Sequence, residues 1–260
     1  MKIAIREREI IELVRSLRPL ITDREQAGQV REKGLADFVT QVDLSVQHRL
    51  AQELGRRWPE IQFMGEEENA APRDRKRPMW ILDPIDGTTN LIHDYRESAV
   101  SLALWDGRRV VLGVVYDPFR EEVFSASYGK GARCNGLPIS TSGRKDLAHS
   151  LSIFGTSPYH KEWADRVFSD AKALYLRTED LRRGGSAALD LCKIACGRAE
   201  VYFEYDLKSW DYAAGMLIVK EAGGCCTGMD GSALPVVENG DLLATNGHVH
   251  PEALGFFAGR

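Results

Sequence analysis

The sequence contains no apolar stretch approaching the roughly 18 or more residues of a membrane-spanning helix. Its opening segment, MKIAIREREIIELVRSLRPL, is charged throughout and lacks an apolar core of the secretory kind, so no export signal is expected. Cysteine is sparse: there are five, an odd count, with no C-x-x-C pair and no Cys/His cluster at zinc spacing. Cys134 stands alone, Cys192 and Cys196 are spaced like neighbours on a helix, and Cys225 and Cys226 are adjacent. All lie in apolar settings, which points to reduced thiols in a cytoplasmic protein. A strong charge of one sign is missing too. A net charge of -4 gives no global electrostatic case for nucleic acid or an anionic membrane surface. No internal repeat, low-complexity tract or obvious linker interrupts the 260 residues, which suffice for a sizeable core.

The apolar pattern divides the chain. Ile3, Ile10, Leu13, Val14, Leu17 and Leu20 recur at roughly a helical period, and a second helix is expected from about Asp43 to Arg57, closed by Trp58-Pro59. The polar segment between them, REKGLADFVTQVD, reads as a connector. From Ile61 onward the runs IQFM, MWIL, AVSLALW, RVVLGVVYD and EEVFSASY read as short strands. Asp106-Gly107 is the expected turn of a hairpin, and YGKGARCNG a glycine-rich loop. The remainder alternates: strands at LSIFGT, AEVYFE and DLLATN, with helices at KEWADRVFSDAKAL, SAALDLCKIACG, SWDYAAGMLIVKEAGG and PEALGFF. Such an order suggests layered sheets and helices, with approximate halves at 1–145 and 146–260 of one domain.

The chemically unusual stretch is WILDPIDGTTN, from Trp80 to Asn90. Side chains three apart on a regular strand point to opposite faces. Proline fixes its own φ and biases Asp83 towards extended geometry, so a bend over Pro84-Ile85 would let Asp83 and Asp86 converge. Gly87 then permits a tight turn, and Thr88 or Thr89 can begin a helix whose free N–H groups suit a phosphate oxygen. Converging carboxylates repel unless cations neutralise them, and hard oxygen ligands favour Mg²⁺. The same residues also suit a strand-ending turn with solvated aspartates and a threonine helix cap.

Other acids are ambiguous in the same way. Glu66 and Glu67, in FMGEEEN, fit either a solvated loop or a ligand pair. Asp211, in KSWDYAAG, fits a helix first turn capped by Ser209, or a ligand. Asp43, in DFVTQVD, is also compatible with an ordinary helix-entry acid.

Taken together, DFVTQVD (37–43), MGEE (64–67), WILDPIDGTTN (80–90), GSAALDL (185–191) and SWDYAAG (209–215) resemble the inositol monophosphatase family of lithium-sensitive, Mg²⁺-dependent phosphatases. DPIDGTTN followed at this distance by WD-x-A-A-G is a highly specific combination, and looser similarity covers nearly the whole chain. The resemblance implies an αβαβα layered sandwich of two mixed sheets flanked by helices, assembled as a homodimer. It implies that Glu66, Asp83, the Ile85 carbonyl, Asp86 and Asp211 hold two or three Mg²⁺ ions, with Mn²⁺ a possible substitute. Glu67 would be a nearby carboxylate that either supports the ligands from behind or positions water, and Thr88, supported by Asp43, would orient the attacking water. Gly87 and Thr88 N–H groups would grip the phosphate. Glu204 would hydrogen-bond a substrate hydroxyl, with Gly185, Ser186, Ala187, Asp86 and Asp211 bordering the same pocket. The implied substrate is a small phosphorylated polyol, with no membrane partner and no strong mark of nucleic acid binding.

Some positions depart from the family pattern. Leu91 stands where phenylalanine is common, and Tyr95-Arg96 replaces an aromatic-proline pair after His93, itself read as a packing residue. Asp206 and Lys208 add charge near the expected alcohol pocket, and Arg182 and Arg183 are candidates for the pocket or a subunit interface. Within the family, the DPIDGTTN turn favours the inositol-phosphate branch over nucleotide relatives, and with Glu204 it supports inositol phosphate; fructose 1,6-bisphosphate, bisphosphorylated nucleotides and histidinol phosphate are the alternative substrates. A haloacid-dehalogenase phosphatase would need D-x-D-x-T near the start of its fold, which is absent here. A regulatory or binding module on the same fold, contacting nucleic acid or polymerase machinery through basic stretches such as PRDRKRP (72–78), is the reading from another class.

Overall fold

The structure, a computed structural model, describes residues 5–34, 37–67 and 73–258. Its helices are α1 (Glu7–Arg15), α2 (Arg18–Ile21), α3 (Arg24–Ala27), α4 (Gln41–Arg57), α5 (Thr88–Ile92), α6 (Ala164–Tyr175), α7 (Ala187–Ala195), α8 (Ser209–Glu221) and α9 (His250–Ala258). Strands β1 (Val30–Gly34) and β2 (Asp37–Thr40) pair with each other. A seven-stranded sheet runs in chain order through β3 (Gln62–Gly65), β4 (Met79–Asp86), β5 (Ala99–Trp105), β6 (Val110–Asp117), β7 (Glu122–Ser127), β8 (Ala132–Cys134) and β9 (Leu137–Ile139). Only its β3–β4 pair is parallel. The chain then enters a five-stranded sheet of β10 (Leu151–Phe154), β11 (Asp180–Arg182), β12 (Val201–Leu207), β13 (Cys225–Thr227) and β14 (Gly240–Thr245). The spatial order there is β11-β10-β12-β14-β13.

Alternation along the strands sorts side chains into three buried clusters. On β4, Trp80 and Leu82 face Ile10, Val14, Val46 and Leu50 of the N-terminal helices, whereas Met79 and Ile81 face the opposite way. That second face meets α7 and α8, whose other side is covered by Tyr202 of β12 and Leu242 and Ala244 of β14. Val201, Phe203 and Tyr205 of β12 point outward beneath α6 and α9. The layers are therefore helix, sheet, helix pair, sheet and helix. This is the expected αβαβα sandwich with two mixed sheets. α8 is apolar around most of its girth because both sheets enclose it.

Several segments differ from the sequence expectation. The N-terminal periodic run breaks at Ser16-Leu17 rather than forming one helix. Pro19 has no N–H to donate, and its ring would clash with the carbonyl four residues back. Ile3 lies outside the described residues. The expected connector contains the β1–β2 hairpin. The glycine-rich YGKGARCNG segment carries β8 and opens a hairpin to β9, with Asn135 and Gly136 both at positive φ between paired Cys134 and Leu137. An Asn-Gly dipeptide favours this tight turn. The β5–β6 turn is longer than Asp106-Gly107, because Asp106 Oδ1 accepts the N–H groups of both Arg108 and Arg109.

All five cysteines are free thiols. Burial pushes Cys134 up to about 11 and Cys226 up to about 12, which leaves both as weak nucleophiles. Among the described residues no helix is long and apolar enough to cross a membrane.

Gly113 lets β6 approach α8 closely, because a Cβ there would lie 2.7 Å from the Ala214 carbonyl oxygen. Gly113→Ala is expected to destabilise the protein by about 1–3 kcal/mol through overpacking. Gly55→Ala, in the open interior of α4 with nothing within 4 Å of its Cβ position, is expected to stabilise by about 0.5–1 kcal/mol. Urea unfolding of the two variants checks both signs.

Candidate active site

β4 does not stay regular to its end. Asp83 pairs with Ser101 and Asp86 with Ala99, so three steps along β4 match two along β5. This β-bulge is what turns both aspartates to one side. Pro84 offers no N–H to the ladder, and the Ile85 N–H turns to Asp83 Oδ1 at 2.9 Å. Gly87 follows at φ 89°, and a side chain there would also press on the Glu97 carbonyl at 3.0 Å. α5 starts at Thr88, as the sequence suggested.

Helix α4 supplies the support behind this turn. Thr40 caps α4, and its N–H and hydroxyl both donate to Asp43 Oδ2. Thr88 Oγ1 lies 2.9 Å from Asp43 Oδ1 and 3.0 Å from the Ile85 carbonyl oxygen, so its single proton has two acceptors. Burial pushes the Asp43 carboxyl up, while the donors from Thr40 and Thr88 pull it back. One turn further along α4, Gln47 Oε1 accepts the Glu67 N–H at 3.0 Å. Gly65 leaves room for that amide, since a Cβ there would lie 2.2 Å from Gln47 Oε1. Residues i and i+4 share a helix face, so one side of α4 positions both Thr88 and the Glu66–Glu67 turn.

The far wall comes from the second half of the chain. Asp86 Oδ2 accepts the Ser186 hydroxyl and, at 2.7 Å, the Ala188 N–H at the start of α7. Asp211 lies in the first turn of α8, where its Oδ2 accepts the Lys208 N–H at 2.7 Å. Ser209 is the first helical residue and not the cap; Lys208 occupies that position. Glu204, buried on β12, accepts the Ser157 N–H at 3.0 Å and the Tyr202 hydroxyl at 2.7 Å. Gly155 makes this possible, because any side chain there would collide with the Glu204 carboxylate.

These elements enclose a cleft of about 280 Å³. Glu66, Asp83, Ile85, Asp86, Gly87, Thr88, Gly185, Ala187, Glu204 and Asp211 all line it. Asp43 and Ser186 stand behind the lining and reach it through Thr88 and Asp86. Glu67 is held beside it by Gln47. Roomier hollows of about 540 and 570 Å³ lie near α6 and α9, but they do not gather the carboxylates.

Electrostatics set the cleft apart. Burial raises Asp83 well above the usual carboxylate range, and the charges of Glu66, Asp86 and Asp211 raise it further. Asp211 is raised by burial, then by Asp86 and Glu66. Burial pushes Asp86 up to about 6 against the pull of Ser186 and Ala188. Among the described residues no group of three or more His, Cys, Asp or Glu side chains forms a ready-made metal shell. Mg²⁺ demands less than that, since it commonly keeps several waters and takes one or two carboxylates alongside a substrate phosphate. Hard oxygen donors, buried together and repelling one another, fit such a cation; the Ile85 carbonyl retains a second lone pair after meeting Thr88.

The flanking departures resolve individually. His93 is exposed at the end of α5, so it is not a packing residue. Asp206 and Lys208 pair with each other at 2.7 Å and do not line the cleft. Arg182 pairs with Asp180, whereas Arg183 lines the cleft and donates to Thr156 Oγ1. Arg73 and Arg75 are tied to Phe63 and Glu238; Pro72 lies outside the described residues. Sequence reasoning did not identify Gln47, Gly155, Ser157 or Tyr202. The small-residue run after LSIF in LSIFGTS was the available signal for the middle two.

Comparison with known proteins gives a consistent result. The model of the inositol monophosphatase family matches residues 3–257. The chain is 39% identical over 210 residues to a protein of Xylella fastidiosa named Nus factor SuhB, covering 81% of this chain and 76% of that one. It is likewise 39% identical over 225 residues to an inositol-1-monophosphatase of Synechocystis, covering 86% and 78%. The fold superposes on the Thermotoga maritima IMPase with a TM-score of 0.87 at 30% identity, over 97% of this chain and 96% of that one. The extragenic suppressor protein suhB of Bartonella henselae gives 0.89 at 30% identity, over 95% and 96%.

The repulsion has a measurable consequence. Carboxylates whose folded-state pKa is raised weaken the fold as they ionise, so chelated protein should gain stability as pH falls from about 7 to about 5, through the value of about 6 to which Asp86 is raised. Added Mg²⁺ should raise the thermal midpoint by several degrees at the upper pH and by less at the lower. Asp211→Asn should raise the midpoint in chelator and shrink the Mg²⁺ increment. Differential scanning calorimetry at both pH values checks all three signs.

Proposed function

Since the chain belongs to the inositol monophosphatase family, we propose that it is a divalent-cation-dependent phosphoric monoester hydrolase acting on a small phosphorylated polyol. Inositol monophosphate is its reference substrate. The observation that carries this reading is the single cleft where Glu66, Asp83, Asp86 and Asp211 meet the Thr88–Asp43 pair.

In this reading Glu66, Asp83, the Ile85 carbonyl, Asp86 and Asp211 would hold two or three Mg²⁺ ions, or Mn²⁺ in their place. When bound there, such ions supply Lewis acidity towards the phosphoryl oxygens and acidify a water molecule. The protein's own contribution is placement. With its proton given to Asp43, the Thr88 oxygen presents a lone pair into the cleft and orients the attacking water. The Glu67 carboxylate, on the turn that Gln47 holds, supports the neighbouring ligands or positions water. Gly87 and Thr88 N–H groups receive a phosphate oxygen at the start of α5. Across the cleft Glu204 accepts a hydroxyl of the leaving alcohol, in a pocket bordered by Asp86, Gly185, Ser186, Ala187 and Asp211. Water attacks phosphorus in line with the ester oxygen, the P–O bond to the alcohol breaks, and the alcohol leaves with a proton. No side chain becomes phosphorylated.

A structure entitled IMPase/NADP phosphatase complexed with Mg²⁺ and phosphate superposes with a TM-score of 0.86 at 25% identity. Other phosphate monoesters, including fructose 1,6-bisphosphate, bisphosphorylated nucleotides and histidinol phosphate, therefore belong in the same assay. A second reading, a non-catalytic regulatory role, is favoured by the relatives named Nus factor SuhB. The assembled carboxylate set favours turnover over that alternative. We place the protein in the cytoplasm, consistent with five free thiols, and as a homodimer, after the family.

Phosphate release from the substrate panel, with Mg²⁺, with chelator and with added Li⁺, tests the proposal. Chelator should abolish release, and Asp83→Asn should lower kcat by roughly 10³-fold. Thr88→Ala should lower kcat far more than it changes KM, and Glu204→Gln should mainly raise KM. Activity that survives chelation, or a phospho-aspartate adduct on Asp83, would overturn direct water attack.

A further inference from the structure

The floor of the cleft is acidic, but its rim is not. Lys161 and Arg183, both exposed, line it together with the buried Glu204. Neither forms an ion pair among the described residues, and the acids that would otherwise neutralise them are already engaged. Glu162 is met by His160 Nδ1 at 2.9 Å. Asp206 is met by Lys208 at 2.7 Å, by His160 Nε2 at 3.1 Å and by the Asn239 amide at 3.0 Å. Asp180 takes Arg182.

The segment bearing Lys161 is also held in place. Ser157 sits at φ 45°, donates its N–H to Glu204 and donates its hydroxyl to the Tyr205 carbonyl at 2.8 Å. At the other end His160 stacks on Trp163 with ring centroids 4.0 Å apart while bonding to Asp206. Lys161 follows directly, so its stem starts from a fixed point beside the cleft. Arg183 is anchored by one bond from Nη2 to Thr156 Oγ1 at 3.2 Å, which leaves other guanidinium N–H groups to donate.

We propose that Lys161 and Arg183 form an anion-reading rim that favours phosphorylated polyols carrying a second anionic group on the leaving alcohol. This rests on the hydrolase reading above and names its preferred substrate class. Glu204 takes a neutral hydroxyl close to the reacting phosphate. Beyond it, a guanidinium and an ammonium match a second phosphate or a carboxylate on the same carbon skeleton. A neutral polyol would bring no anion to the Lys161 ammonium or to the guanidinium N–H groups that Thr156 leaves free. The alternative role, in which these cations merely offset the buried Glu204 charge, would affect every substrate alike.

Matched pairs separate the two roles. One pair is fructose 1-phosphate and fructose 1,6-bisphosphate; the other is sorbitol 6-phosphate and 6-phosphogluconate, whose second anion is a carboxylate. The wild-type enzyme with Mg²⁺ should give a kcat/KM ratio above about 5 in favour of the second anion in at least one pair, and the pair identifies which anion is read. Lys161→Gln and Arg183→Gln should each cut that ratio severalfold, and the double variant should bring it near one, mainly through KM. The ratio should also fall as salt rises. Lys161→Arg with Arg183→Lys should keep most of the preference, and this charge-conserving protein separates lost charge from lost folding. A ratio near one in the wild type, or one that survives in the double glutamine variant, overturns the proposal. No hydrolysis of either member of any pair, nor of inositol 1-phosphate, overturns the hydrolase reading itself.

Discussion

One extra residue in β4 decides where the chemistry can happen. A regular strand would place Asp83 and Asp86 on opposite faces, one in the cleft and one against the N-terminal helices. The bulge opposite Ser101 and Ala99 puts both on the side of α7 and α8. Proline enforces it from within, by withholding a ladder N–H, and the Asp83 carboxylate secures it by accepting the Ile85 N–H. Everything around the cleft then builds on two neighbouring acids that cannot separate.

Gathering acids is costly, and the fold spreads that cost over rigid supports. Asp86 is held by the start of α7, Asp211 by the start of α8, and Asp43 by the cap of α4. In each case a backbone N–H at or near a helix entrance meets a carboxylate, where the helix dipole also favours negative charge. The two sheets fix these entrances relative to one another, because α7 and α8 are enclosed between them and β12 brings Glu204 up from the opposite side. What remains uncompensated is the mutual repulsion of Glu66, Asp83, Asp86 and Asp211, which is the property that makes a cation-binding site.

Much of this was legible in the sequence, and the reasons for the gaps are physical. Pro84 beside two aspartates announced the bend, and the four acidic segments announced one another once their pattern was recognised. The layered fold was legible as element types, while the order of layers depended on which face of each strand found which partner. β1, β2, β8, β9, β11 and β13 escaped because strands of three to five residues carry too little alternation to read. Gln47 looked like any polar helix residue, and only its i+4 relation to Asp43 on a buried face reveals its role. The Glu204 cradle was hidden for another reason: Gly155 and Ser157 meet Glu204 across 47 positions of chain in the Ser157 case, a contact that no local pattern encodes.

The central claim is that the bulge assembles a cation site. Anomalous diffraction from crystals grown with Mn²⁺ tests it most directly. The account predicts peaks inside the cleft at coordination distance from the Asp83 carboxylate, with Glu66, Asp86 or Asp211 completing the protein ligands. Peaks only at surface acids, or a cleft that stays free of anomalous scattering at saturating Mn²⁺, would contradict it.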